Sequence, residues 1–454
     1  MKKLLVILFA LALVFSFTAP VMATDVSFDG SYRIRGFYDS NSALVKDNAV
    51  NNAYYDQRFR LQTVFQVAEG LKVTARFDAM DGTWGDVNDP LRGNTANNIQ
   101  FDKIYMTFVT GIGQFDAGVM SDGTWGTSFG NLEGFVGKIS FTTKVGDVML
   151  NVHTVKNTEG DKLGTAATTF PGPLPPGPGP ANANYGDRDD DSYRTFAIYA
   201  KDDIQAGLIY IYERQAYDPI GGFGAPAFPG INFVAASGLE GLVATANILE
   251  PYFKATFGDL YLEGELGWVK GEIPLTAVQR GIIGLTNDVE LEGFRYYLQA
   301  KYNIGSSYVG GLFAYVQGDD PTSDKIENFL DSGGDWDPML ILFNDTCPTS
   351  LGTVATTGVS LDNGSIYQVF AGTTIDKLAL KASLSMAKAD EVVAGWDDSY
   401  GTEFDLEAAY KIYDNLTYSA GFGYLWAGDY YKGGVVTTKI DNTYLLMNKL
   451  QVVF

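Results

Sequence analysis

Residues 403–412 read Glu-Phe-Asp-Leu-Glu-Ala-Ala-Tyr-Lys-Ile, and their alternation decides the fold class. Phe404, Leu406, Ala408, Tyr410 and Ile412 fall on one face of an extended chain, and Glu403, Asp405, Glu407 and Lys411 on the other. Strict alternation of this kind marks a β-strand with two unlike faces, because successive side chains of a strand point to opposite sides. Tyr413-Asp414-Asn415 then supplies turn residues, and alternation resumes over 416–426. The pattern recurs at both ends of the chain. Val26, Phe28, Tyr32 and Ile34 oppose Ser27, Asp29, Ser31, Arg33 and Arg35 in the first segment, 25–38. In the last segment, 443–454, Tyr444, Leu446, Leu450, Val452 and Phe454 share a face that only Asn448 interrupts.

About 18 such segments, give or take two, cover the chain, and their connections alternate in length. Short turns such as 68–70, 145–147, 202–203, 258–259 and 375–377 carry the Gly, Asp and Asn that hairpins need. Long polar stretches at 79–98, 157–191, 214–249 and 318–365 separate them. A soluble sandwich has no reason to alternate in this way, and a propeller would repeat a blade motif at fixed period. Short turns at one end and long loops at the other describe an antiparallel β-barrel that crosses a membrane, with its apolar face toward lipid. Aromatic residues at the loop-side strand ends, Tyr38, Tyr55, Tyr193, Tyr212, Tyr252, Trp268, Trp426 and Tyr444, are read as an interface girdle.

The first 23 residues support export. Lys2 and Lys3 precede the apolar run Leu4–Phe17, and Val21-Met22-Ala23 forms a small-residue cleavage site, so 1–23 is read as a signal peptide and 24–454 as the barrel. The expected location is a bacterial outer membrane. With 52 glycines, 27 tyrosines and 29 phenylalanines the composition suits strands, turns and girdles, and a net charge of −22 argues against nucleic acid as a partner. The single cysteine, Cys347, allows no internal disulfide.

Three stretches carry a resemblance: Tyr32-Arg33-Ile34-Arg35, Gln57-Arg58-Phe59-Arg60-Leu61, and 403–429, EFDLEAAYKIYDNLTYSAGFGYLWAGD. They resemble the outer-membrane porins of anaerobic and sulfur-metabolising proteobacteria and, more distantly, the alginate-export family of 18-stranded barrels. The resemblance implies a barrel and transport and no particular solute. Phe454 at the terminus of the last strand looks like the signal such proteins present to barrel-assembly machinery.

For chemistry the sequence offers a basic set on the inward face of the first three strands: Arg33, Arg35, Arg58, Arg60 and Arg76, with Lys72 nearby. Each alternates with a residue suited to lipid, such as Ile34, Phe59, Leu61 or Phe77. The set is read as pore-lining, with pairing to acids on adjacent strands as the competing account. Glu263 and Glu265 are expected on the opposite wall, where they either face the arginines across a constriction or are neutralised by Arg295 and Lys301 in a local salt-bridge network. Asp187, Asp189 and Asp191 are spaced for a loop-bound calcium, though without an EF-hand pattern, and a second acid group is Asp331, Asp335 and Asp337. Otherwise no cofactor is expected. Nor is an enzyme, because the only histidine, His153, has no triad partners around it. Residues 324–330, after Asp320-Pro321, read as a short helix that lies over the mouth or folds inward. The function expected is passive diffusion of small polar or charged solutes. A plugged or partner-occupied conduit and a polysaccharide-type export channel stand as alternatives.

Overall fold

The computed structural model describes residues 25–44, 46, 51–85, 99–159, 189–216, 242–320, 322–323, 325–328, 330–344 and 360–454. The leader 1–23, Asp187, the proline-rich stretch 171–180 and Cys347 lie outside them.

The first half of the sheet contains β1 (Asp25–Ser40), β2 (Asn51–Ala68), β3 (Leu71–Thr83), β4 (Ile99–Thr110) and β5 (Gly113–Asp122). It continues with β6 (Gly134–Val145), β7 (Val148–Thr158), β8 (Asp190–Lys201) and β9 (Ile204–Gln215). The second half contains β10 (Ala244–Phe257), β11 (Leu260–Ile273), β12 (Val289–Ile304) and β13 (Ser307–Val316). After the two-residue strand β14 (Lys325–Ile326) come β15 (Gly364–Ile375), β16 (Leu378–Lys388), β17 (Ser399–Tyr413), β18 (Leu416–Ala427) and β19 (Thr443–Val453). Each long strand pairs antiparallel with its sequence neighbours, β13 pairs with β15, and β19 pairs with β1 from Ser40–Tyr444 to Ser31–Val453. The sheet thus closes into an 18-stranded antiparallel barrel, the architecture read from the sequence. Beyond the last ladder pair the backbones of Gly30 and Phe454 exchange two hydrogen bonds, at 2.8 and 3.0 Å.

Closure is what lipid demands, since an unpaired backbone N–H or C=O in hydrocarbon costs several kcal/mol and a barrel has no edge. The outer face meets that solvent: Phe28, Ile104, Val152, Leu298 and Val369 are all more than half exposed or at that level, a distribution no soluble sheet tolerates around its whole circumference. Tyr38 lies 5.9 Å from Tyr444, Tyr55 stacks on Trp84 at 5.5 Å, and Tyr193 lies 6.4 Å from Tyr212 along the girdle. Phe454 stacks on Phe59 at 6.1 Å at the other rim. Tyr252 corrects the girdle reading: it is 5% exposed and faces inward, edge-on to Trp125 at 5.0 Å.

Two other readings change. Residues 325–326 are extended and pair parallel with Glu290–Leu291 of β12, so the helix read over 324–330 is not there among the described residues. Asp320 does cap a turn, accepting from the N–H and hydroxyl of Thr322, but the chain then continues as a strand because Ile326 can bury against Leu291 and Val269. A helix forms instead in the β11–β12 connection, α1 (Ala277–Ile283), held by a reciprocal capping box between Thr276 and Gln279 and ended by Gly284 in the left-handed region. Also, β10 begins at Ala244, well before the alternation at 252 announces it. There Ala244, Ala246 and Ile248 point inward into an apolar cluster with Leu275, Leu291, Ile326 and Leu330, the reverse of the lipid-span rule.

On this architecture Leu298→Arg, which places a charge on the outer face midway along β12, should cost about 2–4 kcal/mol of folding into vesicles, seen as a lower urea midpoint. Gln299→Arg, one residue on and facing inward, should cost far less.

Candidate pore lining and constriction

Alternation along each strand turns every second side chain inward, and the ten residues read as pore-lining, Arg33, Arg35, Arg58, Arg60, Arg76, Lys72, Glu263, Glu265, Arg295 and Lys301, lie on that concave face. Their ion pairing divides them. Arg35 makes a two-pronged contact with Asp56, at 3.0 and 2.6 Å, and Arg60 does the same with Asp78, at 2.6 and 2.7 Å. Arg76 holds Asp102 at 2.7 Å and reaches Glu133 at 3.6 Å. These three are braces between neighbouring strands as well as wall charges.

Arg58 is different. It sits where the β2–β3 register shifts, with Met80 in the left-handed region at φ 54°. Its nearest carboxylates, Asp78 and Asp81, are 3.8 and 3.9 Å away. Arg33, directly across from Arg58 in the ladder, has no carboxylate within 4.0 Å among the described residues, and its Nε has no hydrogen-bond partner. Of these two adjacent guanidinium groups, Arg33 has no counter-ion within 4.0 Å among the described residues and Arg58 has only these two longer contacts. Lys72 and Lys301 likewise have no ion pair among the described residues.

Two connections fold inside. Residues 123–133, between β5 and β6, reach across to β10–β12: Trp125 Nε1 donates to the Glu250 carbonyl at 2.9 Å, and the N–H and hydroxyl of Thr127 both donate to Glu265 at 2.8 Å. Phe129 is fully buried, stacked on Tyr297 at 5.2 Å and edge-on to Trp336 at 5.0 Å. Arg295 pairs with Glu250 at 2.5 Å, donates to the Asp331 carbonyl and lies 4.0 Å from Glu265, so this trio is a buried local network. Gly130 allows the approach, since a Cβ there would come within 2.2 Å of the Arg295 guanidinium.

The second inward segment, 330–344, docks on the wall formed by β15–β18. The N–H groups of Leu340, Ile341 and Leu342 all donate to the Glu403 carboxylate, at 2.9, 2.7 and 3.0 Å, and Glu403 has no exposed surface. Three successive amides turned onto one carboxyl group make a nest, which satisfies its oxygens with hydrogen bonds where water cannot reach them. Gly421 and Gly423 on β18 leave the wall flat enough for Leu340 and Ile341, whose atoms a Cβ would meet at 3.2 Å. The two segments also bond to each other, with the Asp335 N–H donating to the Asn131 carbonyl at 2.8 Å and the Glu133 N–H donating to Asp335 at 2.5 Å. Together they partition the lumen.

Glu133 joins the partition to the basic wall through Lys103 at 2.9 Å and Ser121 at 2.6 Å. Burial alone would raise its pKa, but these bonds and the Arg76 charge outweigh it and hold the group down at about 2. Its contribution to anchoring is complete above the ordinary value of 4.5 and is lost as pH falls through about 2. In the acid groups, Asp189 and Asp191 close on the Lys156 ammonium at 2.5 and 2.9 Å, and no set of three or more metal-ligand side chains converges among the described residues. Asp331 and Asp335 are spent on Gly333, Ser360 and Glu133. His153 is an inward wall residue bonded to Asn151 at 2.6 Å and 3.9 Å from Asp122, which Arg194 holds at 2.7 Å.

The barrel is similar to solved structures of Pseudomonas aeruginosa. OccK8 (OprE) is 14% identical, with 94% of this chain and 98% of that chain covered and a TM-score of 0.51. The outer membrane protein opdK is 12% identical, with 94% and 99% covered and a TM-score of 0.50. A double variant of OccD1 (OprD) is also 12% identical, with 96% and 98% covered and a TM-score of 0.50. At such identities the likeness is one of fold. No family model matches the chain, and no curated protein matches its sequence.

The Glu403 nest gives a direct test. Glu403→Ala strands three buried donors, each worth about 1–3 kcal/mol, so the barrel should melt at lower temperature and residues 330–344 should become cleavable by added protease. Glu403→Gln keeps an acceptor and should fall between. An unchanged melting point and digestion pattern in the alanine variant would show that the nest does not hold the segment.

Proposed function

We propose that this chain is an outer-membrane channel through which small polar solutes diffuse passively, and that its basic wall favours anions. The observation that carries the reading is the state of Arg33, Lys72 and Lys301, which have no carboxylate within 4.0 Å among the described residues. A guanidinium or ammonium group without a close counter-ion is costly in a dry interior, where real proteins pay several kcal/mol per buried ion. Cations left in this state on a concave wall imply water beside them. A barrel filled solid by its loops would need each of them paired, as Arg295 is in the packed partition.

Net charge and wall charge point in opposite directions. The chain is acidic overall, at −22. Charges in solvent-facing loops are screened beyond about 8 Å at physiological salt, while wall charges in a narrow lumen act on a passing ion at short range. The wall therefore sets selectivity locally. That the similar barrel opdK is an outer membrane protein agrees with the location proposed.

Purified barrel in a planar bilayer should give stepwise ohmic current, and a barrel that inserts without current would be a plugged conduit. In a salt gradient, replacing Arg58 and Arg60 by Ser should move the reversal potential toward cations, since it removes two positive charges and releases Asp78 from its pairing. The double variant should still fold, because inward substitutions tune selectivity where outward ones damage insertion. Unchanged selectivity in a correctly folded variant would reduce the arginines to braces.

A further inference from the structure

On the β1–β4 wall the acids Asp56, Asp78 and Asp102 each stand against an arginine. On β17 two carboxyl groups are buried without one. Glu403 and Asp405 are successive inward residues, 0% and 1% exposed, and no Lys, Arg or His lies within 4.0 Å of either among the described residues. Across the ladder on β16 they are opposite Ser385 and Ser383. The next inward residue of that strand, Lys381, is opposite Glu407 and holds it at 2.9 Å. From β18 come Gly421, Gly423 and Leu425, and from β15 Gln368, whose amide is spent on the Pro338 carbonyl at 2.6 Å and Ser385 at 2.8 Å.

The two carboxyl groups meet each other. Their side chains are hydrogen-bonded, the Ser383 hydroxyl donates to Asp405 Oδ2 at 3.3 Å, and no other donor of the described residues reaches the buried Asp405 Oδ1. Two ionised carboxylates are acceptors only and cannot bond to one another, so the contact holds one proton. Its removal would leave two negative charges side by side, away from water and with no cation to answer them. The inward segment 330–344 is what keeps the water out. Its amides at 340–342 bond Glu403, and its side chains cover Asp405: a Cβ built on Gly423 would meet Asp405 Oδ1 at 3.0 Å and both Ile341 Cγ1 and Leu340 Cβ at 3.2 Å.

We propose that Glu403 and Asp405 form a proton-operated latch for the inward segment: with one proton between them residues 330–344 stay docked, and loss of that proton as pH rises releases them. The pair titrates as a unit, and its singly and doubly ionised forms want different surroundings. One negative charge is served by the three amides and the shared proton in the dry site. Two need water, which enters only when Leu340 and Ile341 lift from the wall. Docking is therefore supported at low pH and lost on deprotonation. The latch works in the opposite sense from the Glu133 fastening, which fails toward acid. It goes beyond the channel reading and does not need it, although in a conducting barrel the released segment would widen the path.

The test is hydrogen–deuterium exchange of the full-length barrel in detergent, read by mass spectrometry over 339–343 and expressed as protection relative to the intrinsic rate at each pH. Protection of these amides should fall at least tenfold between about pH 6 and about pH 9, above the ordinary carboxyl range near 4, while the seam strand 445–452 keeps its own. Asp405→Asn, which cannot ionise, should hold the segment docked across the same range. Constant protection in the unaltered barrel, a fall shared equally by the seam, or the same fall in a folded Asp405→Asn variant would each overturn the latch. Should that variant not fold, Glu403→Gln asks the same question: protection should be lower throughout and independent of pH, and a fall as large as in the unaltered barrel would overturn the proposal. Because exchange needs no current, a barrel that never conducts leaves this result standing, and a conducting barrel with pH-independent protection loses the latch alone.

Discussion

The ladder between β1 and β19 is the contact on which the rest of the molecule is conditional. Ten residue pairs, from Ser31–Val453 to Ser40–Tyr444, join the ends of the chain and leave the sheet without an edge. In water an open sheet would lose little by leaving one ladder unmade, since solvent would bond the free groups. In hydrocarbon it would lose several kcal/mol for each. The last strand must therefore be formed and in register before the barrel is stable in a membrane, and Phe454 sits on that seam, its backbone paired with Gly30 and its ring on Phe59.

Closure also creates the inner face, and the chain uses it in two different ways. Along β1–β4 it carries charge, with Arg35, Arg60 and Arg76 paired closely across strands, Arg58 at 3.8 and 3.9 Å from Asp78 and Asp81, and Arg33 without a carboxylate within 4.0 Å among the described residues. Along β10–β18 it carries a docking surface for two inward segments, which bring their own apolar residues, Trp125, Phe129 and 339–343, into the lumen. The polar fastenings of that core are few. Glu403 holds one segment, Glu265 the other, and Asp335 joins them, so carboxyl groups do the anchoring on the wall.

The strands and their alternation were legible because lipid outside and polar groups inside impose period two, and β1 and β17 display it over most of the spans read, with Phe37 and Ala409 as apolar exceptions on the inward face. The same alternation puts Arg33, Arg35, Arg58, Arg60 and Arg76 on one face of their strands. What the sequence did not disclose is everything set by packing inside the lumen. Tyr252 looked like a girdle residue because an aromatic at a loop-side strand end usually is, yet Trp125 from a distant connection draws it inward. The start of β10 was hidden since its inward residues are Ala and Ile against an apolar cluster, which inverts the usual pattern. The helix read at 324–330 rested on a real Asp cap, but Ile326 gained more burial as a strand beside Leu291. The true helix did carry a signal in Thr276 and Gln279, three residues apart as a capping box requires. Glu403 appeared only as one member of a polar face, because its partners are backbone amides more than sixty residues away and no residue type announces them.

The claim beneath all of this is that one face of every strand meets lipid and the other an interior that is not lipid. A nitroxide scan of residues 294–302 on β12 in reconstituted vesicles measures it directly, by collision with oxygen, which concentrates in the bilayer. Oxygen accessibility should peak at 294, 296, 298, 300 and 302 and fall at the four positions between them that face inward, 295, 297, 299 and 301, giving a period of two. Uniform accessibility along the strand, or maxima on the odd positions, would contradict the barrel as described.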